Sequence, residues 1–158
     1  MKTIKFFFPV LMLAFAVSFS SCGSDDPADL IIGTWAYENT TVDVQTNNAE
    51  ATNFFKEMMA GNEGNASDID GASITFSADG KATTKNSAGR TDTTSYKFEN
   101  GKLVIGDKGD EIAYTYSVDK KKLSFGSEYS ADELKVLEQL FEGVTITKIK
   151  IMMNFNKK

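Results

Sequence analysis

The chain has 158 residues, a formal net charge of −5, no histidine and a single cysteine, Cys22. The missing histidine removes the commonest general base and the commonest transition-metal ligand, and a lone cysteine excludes an intrachain disulfide framework, so the core must come from packing. An acidic balance without a basic stripe speaks against a nucleic-acid partner.

At the start of the chain, Lys2 and Lys5 precede an apolar run from Phe6 to Phe19 that Pro9 interrupts. A membrane-spanning helix needs roughly 20 apolar residues, which the 14 residues of this run do not supply. A basic flank, a short apolar core and the small residues Ser20 and Ser21 describe an export signal instead. Phe19-Ser20-Ser21-Cys22 resembles the bacterial lipobox, with Phe19 in place of the usual aliphatic residue. That resemblance implies a lipoprotein signal peptide over residues 1–21, with Cys22 acylated and membrane-anchored as the first mature residue. Gly23-Ser24-Asp25-Asp26 resembles the acidic export signal of Bacteroidota surface lipoproteins, and it reads equally as a solvated linker. The implied location is the cell envelope at the outer membrane, with surface exposure tied to the first of these two readings.

Residues 22–29 form an acidic tether that spans at most ~28 Å when fully stretched. Residues 30–158 are left as the folded domain. Removal of residues 1–21 leaves 137 residues and a formal charge near −7, enough chain for one domain with a real core.

Strands are expected near residues 31–39, 72–77, 81–87, 91–98, 102–106, 111–118, 122–126 and 144–156. Asp79-Gly80, Asn100-Gly101 and Asp119–Lys122 separate successive strand formers and read as hairpin turns. Ile112, Tyr114, Tyr116 and Val118 alternate onto one face. The apolar face of the last strand changes parity between Ile146 and Ile149, which predicts a bulge. Two helices are expected. In residues 49–60, Ala51, Phe54, Phe55, Met58 and Met59 share an arc of about 140°. Residues 131–142 follow the capping box Ser130–Glu133 and stop at Gly143. The fold class is therefore mainly β: an eight-stranded antiparallel up-and-down barrel with one helix after the first strand and another before the last.

Ile31-Ile32-Gly33-Thr34-Trp35 resembles the Gly-x-Trp opening of lipocalins, and Ile74–Lys81 and Tyr116–Phe125 resemble hairpins of the lipocalin-like domains of bacterial lipoproteins. The resemblance covers roughly residues 30–126. It implies a barrel whose closed end is plugged by Trp35. Lipocalins stack a late arginine on that tryptophan. The only arginine here is Arg90, so the resemblance leaves the place to Lys148, Lys150 or the C-terminal lysines.

An eight-stranded barrel is just wide enough to be filled by side chains or to hold one small ligand, and the sequence leaves both open. In the first case Phe54, Phe55, Met58 and Met59 close a filled core. In the second they are the underside of a lid over the open end, with Tyr114 and Tyr116 offering hydroxyls to the ligand. Trp35 is a plug or a ligand contact. Thr83, Thr84, Thr91, Thr93 and Thr94 line a polar cavity or face water. No metal site is expected: registering Asp68-Ile69-Asp70-Gly71 as a calcium loop puts Ala66 first and Ser77 last, where carboxylates are required. No cofactor and no enzymatic activity are expected, although a paired-carboxylate hydrolase stays open because folding makes such pairs. The functional expectation is a lipid-anchored lipocalin-like protein that binds a small, largely apolar ligand. The alternative is a surface module with a filled barrel that binds a protein or glycan through exposed loops such as 61–71.

Overall fold

The computed structural model describes residues 26–61 and 71–158. The export signal, Cys22 and most of the loop 61–71 lie outside these residues. The protein is mainly β. Its strands are β1 (Gly33–Thr46), β2 (Ser73–Ser77), β3 (Lys81–Lys85), β4 (Thr91–Glu99), β5 (Lys102–Ile105), β6 (Ile112–Val118), β7 (Lys122–Glu128) and β8 (Ile146–Lys157). The helices are α1 (Pro27–Leu30), α2 (Ala49–Gly61) and α3 (Ala131–Glu138). Each strand pairs antiparallel with the next, and β8 returns to β1, so the sheet closes into a ring.

The turns explain the order. At the β4–β5 turn Asn100 and Gly101 both have positive φ, 51° and 72°, the backbone of the turn type that matches strand twist and favours Asn-Gly. Curvature comes from strands that change partner midway. β4 pairs with β3 over Thr91–Ser95 and with β5 over Tyr96–Glu99. β6 pairs with β5 over Ile112–Tyr114 and with β7 over Thr115–Val118.

The β1–β8 pair contains two bulges. One sits between Gln45 and Thr46, opposite Lys148 and Ile146, so that Thr147 is the extra residue. This is the bulge that the parity change in the last strand predicts. The other leaves Glu38 unpaired between Tyr37 and Asn39. It explains why β1 runs to Thr46 and not to residue 39. Trp35 and Tyr37 face inward before the bulge, Val42 and Val44 after it, and the polar residues from Glu38 to Thr41 conceal the shift.

Two apolar clusters result. The first lies inside the ring around Ile31, Trp35, Phe76, Leu103 and Leu123. The second gathers Val44, Phe55, Met59, Leu134, Ile146 and Ile149 beside it. There β1 and β8 continue as a two-stranded ribbon past the reach of β2 and β7. A lone ribbon is marginally stable in water, and α2 and α3 cover one face of this one. Asn48 caps α2 by accepting the N–H of Glu50 at 2.8 Å. The Ser130–Glu133 box caps α3. Beyond Glu138 the chain tightens into turns, with Leu140 and Phe141 donating three residues back, so α3 ends before the expected residue 142.

Candidate functional site: a closed end and an open cavity

The ring has two ends. The first holds α1, the β2–β3, β4–β5 and β6–β7 turns and the end of β8. Trp35 is fully buried there, and its indole Nε1 donates to the Ile31 carbonyl at 2.6 Å. The Lys157 ammonium lies 4.9 Å from the centre of the Trp35 ring and donates to the Leu30 carbonyl at 3.1 Å. A cation over an indole face is an attractive contact. Gly33 makes it possible. Its φ of 131° is a conformation few other residues adopt, and a Cβ there would meet the Lys157 side chain at 3.0 Å. Gly33, Trp35 and Lys157 thus form one unit. Of the lysines proposed to replace the missing arginine, a C-terminal one reaches the ring. Lys148 instead pairs with Asp43 on the ribbon, and Lys150 with Glu128 at the end of β7.

Among the described residues, the other end is open. A cavity of about 460 Å³ lies inside the ring. Ile74 and Ile105 form one wall. The opposite wall is an aromatic chain in which Tyr37, Phe155, Phe125 and Tyr114 follow one another at centroid spacings of 5.7, 5.2 and 5.4 Å. Met153 also lines it. Burial pushes the Tyr114 hydroxyl above its ordinary pKa. The rim is polar: Thr84 and Lys85 end β3, Arg90 precedes β4, and Thr91 and Asp92 open it. A second hollow of about 350 Å³ shares Tyr114 and Met153 with the first and extends past Gly126 to Tyr129 and Ile151.

These placements sort the residues singled out from the sequence. Tyr114 lines the cavity. Tyr116 does not; its ring packs on Phe98 at 5.0 Å within the core. Trp35 is sealed at the far end. Phe55 and Met59 are buried in the second cluster, where Phe55 stacks edge-on against Phe141 at 4.8 Å. Met58 packs against that cluster, and Phe54 is half exposed beside Phe141. None of the four lines the cavity: α2 covers the ribbon and not the described part of the rim. The threonines divide, with Thr84 and Thr91 on the rim and Thr83 bonded to Thr93 at 2.9 Å on the exposed side.

Tyr37, Phe125, Met153 and Phe155 are lining residues that sequence reasoning passed over. Alternation held a signal for three of them, since Tyr37 is two residues from Trp35, and Met153 and Phe155 continue the face of Ile149 and Ile151. Among the described residues, no three side chains of the metal-binding types gather in one place, and no helix is long and apolar enough to cross a membrane. No protein-family model, curated protein or solved structure matches the chain.

Proposed function

We propose that this protein is a lipid-anchored, lipocalin-like barrel of the cell envelope that binds a small, largely apolar molecule inside the ring. The observation that carries the reading is the cavity of about 460 Å³, with aromatic and aliphatic walls below a polar rim. That volume lies within the range of small-molecule sites, which combine apolar walls with a few polar groups. The lipocalin-like part is supported by the Gly33–Trp35–Lys157 unit, which performs at the closed end the plugging that the resemblance implies. Anchoring through Cys22 rests on the sequence, and it places the barrel within a short tether of the bilayer.

The test is uptake. Protein purified from its envelope, extracted and examined by mass spectrometry, should carry an apolar small molecule or take up a hydrophobic fluorescent probe. Ala72→Trp, at the rim beside the start of β2, should block uptake and leave the fold intact. Absence of uptake by the folded wild-type protein refutes the reading. Cys22→Ala should abolish acyl labelling and release the protein from the membrane fraction.

A second reading draws on exposed apolar side chains. Phe54, Val136 and Leu140, on α2, on α3 and just after α3, are 50%, 60% and 71% exposed. A surface module that docks a protein or glycan there would give a stable partner in pull-downs, lost on Phe54→Ser with Leu140→Ser.

A further inference from the structure

The rim of the cavity has a charge pattern that its apolar walls do not require. Arg90, the chain's only arginine, and Lys85 stand together where β3 passes into β4, and both line the opening. The hairpin holds them there by its own bonds. The Arg90 N–H donates to the Asn86 side-chain oxygen at 2.9 Å, and the Asn86 N–H donates to the Arg90 carbonyl at 3.0 Å. Six ion pairs join described residues, and none uses Lys85 or Arg90. Among the described residues, one carboxylate shares the rim. Asp92 lies across from Thr84 in the β3–β4 register, and one of its oxygens accepts the Thr93 N–H at 3.0 Å. Two cations against one carboxylate leave the described part of the rim positive on a chain whose net charge is −5.

We infer that the ligand is a single-chain amphiphile with an anionic head group, its apolar tail in the cavity and its head held at the rim by Arg90 and Lys85. This inference rests on the binding reading above and adds the polarity and orientation of the ligand. The reasons are geometric. The cavity is apolar below the rim, so a charged group inside it would lose its hydration without a partner. At the rim the same group keeps contact with water and meets a guanidinium, whose fork of donors matches carboxylate and phosphate oxygens. A cationic head would meet two like charges. A neutral head could accept a hydrogen bond from either cation but would gain no attraction between opposite charges.

The experiment compares three ten-carbon probes, decanoate, decanol and decyltrimethylammonium, by titration calorimetry below their micellar concentrations. It uses the full chain with Cys22→Ser, so that no acyl group of its own competes. Decanoate should bind most tightly and decyltrimethylammonium least. Lys85→Gln with Arg90→Gln should weaken decanoate binding by about tenfold, the size of one charge-assisted hydrogen bond, and change decanol binding far less. Asp92→Asn should strengthen decanoate binding. Both changes are on exposed strand ends, and an unaltered thermal melt shows that the fold is kept. Equal affinity for decanoate and decanol, or no response to the paired glutamine substitutions, overturns the anionic head and leaves the binding reading standing. Preference for decyltrimethylammonium overturns it in favour of Asp92. Failure of all three probes to bind a folded protein refutes the binding reading itself.

Discussion

The two ends of the ring are built from the same kinds of residue and packed to opposite effect. At the closed end Trp35, Ile31 and Leu123 are fully buried, and the Lys157 ammonium lies over the indole ring. At the open end Tyr37, Tyr114 and Met153 are only partly buried around empty space. A close-packed interior gains dispersion contacts on every side, whereas a cavity wall forgoes them on one. The closed end should therefore carry stability and the open end should carry binding.

The largest expected effect tests that division directly. Trp35→Ala should cost about 3–5 kcal/mol, the range for large aromatic truncations in a core, read as a fall in the urea midpoint. Tyr114→Ala should cost clearly less, because its ring already borders a void. Equal losses would erase the distinction between the ends. Phe55→Ala, in the second cluster, belongs in the same ~3–5 kcal/mol range, and probe uptake by its folded fraction should be unchanged because α2 does not line the cavity.

Next in size is Gly126→Ala. A Cβ at this position would collide with the Ile151 carbonyl across the β7–β8 pair. Overpacking of this kind costs roughly 1–3 kcal/mol, and the substitution also intrudes on the second hollow. Lys157→Met keeps the length of the side chain and removes its charge. It should cost about 1 kcal/mol through the lost cation–ring contact and shift the Trp35 fluorescence. An unchanged spectrum would separate Lys157 from the plug.

The smallest effect concerns pH. The Asp119 carboxylate accepts the N–H groups of Lys121 and Lys122 at 2.6 and 2.7 Å, and these bonds hold its pKa below the ordinary value. The folded state thus takes up that proton less readily than the unfolded chain. The contribution is present above the unfolded value of about 3.9 and is lost as pH falls through the lower folded value. The stability difference between wild type and Asp119→Asn should shrink on acidification. A difference that stays constant from neutral pH into this acid range would remove Asp119 from the account.

The hairpins were legible because their turn residues announce themselves. The Thr147 bulge was legible because it disturbs an apolar alternation that runs on either side of it. The Glu38 bulge was not, since it falls among polar residues whose alternation carries no burial signal. The location of α2 was illegible for a different reason: an apolar stripe looks the same whether it covers a barrel mouth or a strand ribbon. Whether the ring is filled depends on how Tyr37, Tyr114 and Phe155 meet across it, which no local pattern records. The rim charges were legible only in part: the chain's only arginine falls in the β3–β4 turn, but which end of the ring that turn reaches is set by the pairing of all eight strands.

Closure by β1 and β8 has a consequence for how the chain acquires its shape. The first and last strands pair along most of their lengths, and the Lys158 N–H donates to the Thr34 carbonyl at 2.9 Å. The ring therefore depends on contacts between the most distant strands in the sequence, and such topologies fold slowly because long-loop entropy must be met before the contacts form. Until β8 emerges, β1 and β7 are both unpaired edges, open to pairing with other chains. A circular permutant that joins the C-terminus to Asp26 and opens the chain at Lys108 would turn the slowest contact into a local one. It should fold faster to the same ring.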